Sequence, residues 1–206
     1  MIDARDAALQ TSCPALAVPR FGLLPDMVPG QRVLVAANGL FLQVRTTWLD
    51  CVVRIGDVGV ALPYGASEPG IRFAFGKVSN RLLLEFVRWA RDALPDEVAG
   101  GLVYSASSGT LRMVRFEALS QSPDGIEYRI PVLQGDEVVA VDLHSHGHSA
   151  AYFSATDDAD DNGIKIAGVF GNLDLTEPTC QFRLVVGRAR FDLPSPANLF
   201  TDAGEK

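Results

Sequence analysis

Three apolar, β-branched stretches follow one another early in the chain, at residues 32–36, 40–46 and 51–55. Each has the length and composition of a strand. Asn38-Gly39 between the first two is a hairpin turn signal. Gly56-Asp57 and Gly59 punctuate the third, and residues 58–62 read as a fourth short strand. Residues 31–75 are thus expected to form a small β-meander. The period then changes. Val78, Leu82, Phe86, Trp89 and Leu94 recur at helical spacing, with Ser79 or Asn80 placed to cap the helix and Pro95 to stop it. Phe86 and Trp89 belong to its core face. Strand-like runs return at residues 98–104, 111–116 and 126–130, separated by Ser-Ala-Ser-Ser-Gly and Ser-Pro-Asp-Gly turns. They continue at 137–143, 164–170 and 182–186, with 188–193 completing a hairpin about Gly187. One helix, a mixed run of strands and a short helix after Ser154 predict an α+β layer arrangement.

The punctuation divides the chain. Residues 1 to about 30 carry Pro14, Pro19, Pro25, Pro29 and Gly30 and read as an irregular lead-in, partly ordered at best. Residues 63–70, Pro-Tyr-Gly-Ala-Ser-Glu-Pro-Gly, read as a linker. The expected domains are a β-rich N-terminal extension at 1–75 and a second domain at 76–206, whose polar tail from Pro194 to Lys206 is expected to fray. There is no internal repeat and no low-complexity segment.

Composition narrows the function classes. A 48% apolar content implies a filled core rather than disorder. A net charge of −7, with no run of Lys and Arg, argues against nucleic acid as a partner. Cys13, Cys51 and Cys180 are odd in number and widely spaced, which argues against a disulfide framework or a cysteine metal site. The start Met1-Ile2-Asp3-Ala4-Arg5-Asp6 lacks the features of a secretory leader, and no apolar stretch is long enough to span a bilayer. A soluble, cytoplasmic protein with no membrane partner is the expectation.

The chain has three histidines, all within residues 144–148. His144 and His146 follow the strand-like run Val138-Val139-Ala140-Val141, and positions i and i+2 of a strand share a face. Two imidazoles on one face can grip one metal ion, and Asp157 shortly downstream can be the third ligand. Three protein ligands on a tetrahedral ion leave a position for water, the layout of a catalytic zinc site. A hydrolase of this kind also needs a carboxylate to move the proton; Glu97 and the adjacent Asp96 are candidates, while Glu68 and Glu85 sit in the linker and on the helix. Ser154 is placed to cap a helix starting at Ala155. His148 is an extra histidine, read as a surface residue. Asp158-Ala159-Asp160-Asp161-Asn162-Gly163 mimics the opening of an EF-hand loop, but Val169 stands where a bidentate Glu is required, so these acids are read as a solvated turn.

His-Ser-His, seven residues, Ser, two residues, Asp, as it stands from His144 to Asp157, resembles the signature of the JAMM/MPN-type zinc metalloproteases. Glu97-Val98-Ala99-Gly100-Gly101-Leu102 resembles the Glu-x-x-Gly-x-Leu pattern that opens the family's first strand. The resemblance covers roughly residues 78–193. It implies an MPN/JAMM (cytidine-deaminase-like) mixed β-sheet packed by helices. It also implies Zn2+ held by His144, His146 and Asp157, with Glu97 as general base and Ser154 as hydrogen-bond donor to the oxyanion. In the family the residue at Ser145 supports the site without being a ligand. More narrowly, Phe153 to Asp161 followed by Gly168-Val169-Phe170-Gly171 resembles the bacterial PRTRC system protein A branch, which implies a ThiF/E1-like enzyme as a partner in the same system. The next strand is expected at Ile164, seven positions after Asp157, so the long insertion that serves polyubiquitin linkage specificity is absent. The expected substrate is a peptide or isopeptide bond at the C-terminus of a bacterial ubiquitin-like protein. Two other readings stay open: a non-catalytic MPN scaffold subunit, and an amidase acting on a small molecule.

Overall fold

The computed structural model describes residues 2–193 and 200–201. The chain folds into two compact units, Met1–Gly76 and Lys77–Lys206.

The first unit is a five-stranded sheet preceded by a helix. Helix α1 (Ala4–Ser12) is capped by Asp3, whose side chain accepts from Arg5 N. Strands β1 (Ala15–Ala17), β2 (Gly30–Ala36), β3 (Gly39–Arg45), β4 (Leu49–Gly56) and β5 (Gly70–Phe73) lie in sequence order across the sheet. All neighbours are antiparallel except β1 and β2. β2 and β3 bury alternate residues, and Leu34, Ala36 and Phe41 form a core with Val18.

Four sequence expectations are corrected here. The lead-in contains a helix and a strand. α1 buries no residue, so it carries no apolar stripe for a periodicity argument to find. The β2–β3 hairpin turns on Ala37-Asn38, and Gly39 is already the first residue of β3, paired with Ala36. No strand forms at 58–62, where Val60 is exposed and the run is broken by Gly59 and Pro63. Residues 63–70 are a loop within this unit rather than a linker. Gly65 N donates to Val18 O, Ala37 N donates to Gly65 O, and the chain then returns as β5 to pair with β4.

The second unit has a six-stranded mixed sheet. After β6 (Val78–Ser79), helix α2 (Asn80–Asp92) begins at its N-cap Ser79 and buries Phe86, Val87 and Ala90. The Phe86 ring lies 5.3 Å from that of Phe170, and Trp89 meets the sheet where Gly100 has no side chain: a Cβ there would stand 2.9 Å from the indole. The strands are β7 (Ala99–Ser105), β8 (Thr110–Arg115), β9 (Glu117–Ser122), β10 (Gly125–Arg129), β11 (Glu137–Ser145), β12 (Ile164–Gly171), β13 (Thr179–Val186), β14 (Ala189–Asp192) and β15 (Phe200–Thr201), with helix α3 (Ala155–Asp160) between β11 and β12. The sheet order is β14-β13-β12-β11-β7-β8, and within it only β11 and β12 are parallel, joined by the crossover that contains α3. β15 pairs in parallel with β6.

β9 and β10 form a separate two-stranded ribbon. The strand expected at 126–130 exists, but its partner β9 is exposed along its whole length and has no apolar alternation to betray it. The expectation of a fraying tail falls on residues outside those described, apart from 200–201. The architecture is α+β, a mixed sheet packed by helices with a β-rich N-terminal region. Among the described residues no helix is long and apolar enough to cross a membrane.

Candidate metal centre

The centre lies at the carboxyl end of β11, beside the parallel β11–β12 pair. Val141, Leu143 and Ser145 turn to the buried face of β11, so Asp142 and His144 share the other face. His146 follows directly, its N–H donating to Phe170 O at 2.8 Å. Beyond it Gly147 takes φ +52, and a Cβ there would stand 2.8 Å from Pro95 O. The loop is then stitched down: Leu173 N donates to Gly147 O, and Asn172 N to Ser149 O.

Asp157 reaches the same place from α3. His144 Nε2 is 3.2 Å from His146 Nε2 and 3.2 Å from Asp157 Oδ1, and one ligand atom from each of the three residues lies within 4.8 Å of the others. Zinc–nitrogen bonds of about 2.0–2.1 Å at tetrahedral angles put ligand atoms roughly 3.3 Å apart. Two of the three separations thus match that spacing, and the third ligand atom lies within 4.8 Å, close enough for one cation to gather all three.

The protonation states agree with this fit. Burial pushes the His144 and His146 imidazoles below their ordinary value, outweighing the opposing pull of the Asp157 charge. Neutral imidazole is the ligating form. His146 also makes a hydrogen bond to the Ala150 backbone, the kind of outer contact that fixes ring orientation. For Asp157, burial pushes upward, but the neighbouring histidines and the hydrogen bonds from Ser154 prevail and hold the carboxyl below its ordinary value.

Ser154 is the N-cap of α3 in a reciprocal capping box. Its Oγ and its N–H donate to Asp157 Oδ2 at 2.7 and 2.6 Å, and its Oγ accepts from Asp157 N. One carboxylate oxygen is therefore anchored while the other faces the histidines.

Glu97 lines the same cleft and is 8% exposed. Its N–H donates to Ser122 O at the end of β9, and the next residue is fastened to β11 twice: Val98 N donates to Ser145 Oγ, and Ser145 N to Val98 O. Burial first, then the charges of Asp157 and Asp124, push the Glu97 carboxyl up to about 7. Asp96 is not among the residues lining the cleft, and neither is His148, which is exposed and pairs with Asp174 at 3.5 Å.

The cleft holds residues that sequence reasoning passed over. The Tyr152 and His146 rings meet at a steep angle, their centres 4.6 Å apart. Tyr128 donates from its hydroxyl to Asp142, and Lys165 Nζ lies 2.8 Å from the same carboxylate. Asp142 had a signal, being two positions before His144 on one face; Tyr128 and Lys165 arrive only through tertiary packing. The acids read as a solvated turn are instead part of α3 and its C-cap. Asp161 is buried and paired with Lys165 and Arg183, and Asp158 is paired with Arg183. Asp158 and Asp160 are exposed, as the solvated reading expects, and Asp161 departs from it because Arg183 reaches it from β13.

With this geometry in view, residues 79–185 match the family described as prokaryotic homologs of the JAB domain. The chain belongs to that family. Residues 3–74 match a domain of unknown function, DUF2016. No curated protein matches the chain. Among solved structures, protein DSY2949 from Desulfitobacterium hafniense overlaps 62% of this chain and 92% of its own, at 18% identity and a TM-score of 0.46.

Proposed function

We propose that this chain is a zinc-dependent peptidase or isopeptidase that hydrolyses an amide bond at the C-terminus of a bacterial ubiquitin-like protein. The observation that carries the reading is the convergence of His144 Nε2, His146 Nε2 and Asp157 Oδ1 in a cleft also lined by Glu97. Zinc held by these three residues would acidify a water molecule and polarise the amide carbonyl.

The chain's own residues do the rest. Glu97 takes a proton from the attacking water and later delivers it to the leaving nitrogen. Burial of Glu97 in the cleft favours its protonated form, which suits a group that must hold the proton between the two halves of that task. Ser154 Oγ donates to the oxyanion by releasing its hydrogen bond to Asp157 Oδ2, while its backbone N–H keeps that oxygen anchored. Val98 and Ser145 hold Glu97 at a fixed position beside β11.

β12 begins at Ile164, leaving a short path after Asp157 that favours a small tail over a polyubiquitin linkage. On the residues from Phe153 to Asp161, the chain is assigned to the PRTRC system protein A branch, with a ThiF/E1-like enzyme of the same system as partner.

The test is metal content and hydrolysis on wild type, His146→Ala and Glu97→Gln. About one zinc per wild-type chain, lost in His146→Ala, is expected. Glu97→Gln should keep zinc and lose on the order of 10²–10⁴-fold in hydrolysis of a ubiquitin-like conjugate. A wild-type protein that takes up no zinc on reconstitution refutes the reading.

A further inference from the structure

We propose that Arg183, on β13, is a positioning residue for the metal centre: its guanidinium holds α3, and hence the Asp157 carboxylate, in register with His144 and His146. The inference rests on the metal-site reading above.

By itself α3 has little to fix it in place. The helix is six residues long and buries none of them. Isolated helices of that length do not persist in water. Two devices remain: the Ser154 capping box, which is internal to the helix, and contacts from the sheet. Arg183 supplies those contacts at three points along the segment. Its guanidinium carbon lies 3.8 Å from the centre of the Phe153 ring, one residue before the N-cap. Its Nη1 donates to Asp158 Oδ1 at 2.7 Å, one residue after the ligand candidate. Its Nη2 makes an ion pair with Asp161 Oδ2 at 2.7 Å, at the C-cap. Asp157 sits between these holds.

Arg183 is buried, at 5% exposure, and so is Asp161, so that pair is poorly screened and removing the guanidinium leaves a buried carboxylate short of a partner, whereas Asp158 is exposed and its pair is the weaker hold. Lys165, 3.2 Å from Asp161, and Arg190, which donates to Asp158 O, contribute at the margins. Neither touches Phe153 or spans the helix. The guanidinium uses a hydrogen bond from Nη1, a stacking face on Phe153 and a charge pair with Asp161 in which Nη2 and Oδ2 make no aligned hydrogen bond, and lysine cannot reproduce the set in full.

The experiment uses the full-length protein as wild type, Arg183→Met and Arg183→Lys. Zinc affinity is read by competition with a chromophoric chelator, and amide hydrogen exchange is read in the zinc-free protein. Arg183→Met should weaken zinc binding by about 10–100-fold, the range for outer contacts of a metal site. It should also speed exchange across 155–161 while β11 and β12 stay protected. Arg183→Lys should recover part of both effects.

Unchanged affinity with unchanged exchange in Arg183→Met overturns the proposal. So does loss of protection across β11 and β12 together with α3, which would make Arg183 a general core residue. If wild type itself binds no zinc, the metal reading falls, and exchange at α3 still decides whether Arg183 holds the helix.

Discussion

β11 and α3 deliver the candidate ligands to one point by opposite physical means. β11 is flanked by hydrogen-bonded neighbours, β7 and β12, and its buried face includes Val141, Leu143 and Ser145, each at most 1% exposed. Its histidines are placed by the hydrophobic effect and a backbone ladder. α3 has no apolar anchor and is held by caps and ion pairs. The strand is expensive to move and insensitive to its surroundings. The helix is light, and its position is an electrostatic quantity. A centre assembled from both combines a fixed pair of imidazoles with a carboxylate whose placement can be altered without touching the core.

The comparison can be broken first from the strand side. Leu143→Ala removes a fully buried side chain and should cost about 2–5 kcal/mol of global stability. Denaturant unfolding would show this as a shift of the whole transition, with zinc affinity altered only as far as the fold itself is lost.

A second test concerns Glu97, which faces both elements. Its carboxyl is raised in the folded protein to about 7 from an ordinary 4.5. The stability linked to it is therefore complete below the unfolded value and is lost as pH rises through 7. In chelator-treated protein, wild type should lose about 1–3 kcal/mol relative to Glu97→Gln between pH 5 and pH 8. Denaturation of the two proteins at both pH values measures this. Added zinc should shrink the gap, because a cation offsets the charge. A gap that stays constant with pH would mean Glu97 is not desolvated.

The smallest effect comes from the helix side. Ser154→Ala removes the cap and should cost about 1 kcal/mol, confined to α3. Hydrogen exchange should rise at residues 155–161 and nowhere in the sheet; a rise spread through β11 would mean that strand and helix are not held independently.

The same contrast explains what could be read from sequence. His144, His146 and Asp157 fall within a short stretch, so strand periodicity and spacing suffice to bring them near one another. α2 was legible because its apolar stripe has to meet the sheet. α1 and β9 were not, since they bury nothing and their sequences bear no imprint of a core. Arg183, Lys165 and Tyr128 were invisible for another reason. A charged or aromatic residue in a strand looks alike whether it faces solvent or a buried carboxylate, and the partners that decide the matter lie up to 25 residues away. Polar anchoring leaves a far fainter trace in sequence than apolar anchoring.

The β9–β10 ribbon bears on what can enter. It supplies Ile126 and Tyr128 to one wall of the cleft, with Asp124 and Gly125 at its turn, yet lies outside the main sheet. A two-stranded ribbon is marginal by itself. This one is moored by Ser122 O, which accepts from Glu97 N, and by Tyr128, which stacks on Phe116 and reaches Asp142 with its hydroxyl. One of these anchors is the backbone of the residue assigned the proton transfer, so the wall of the cleft and its acid–base group are fixed at the same point of the chain.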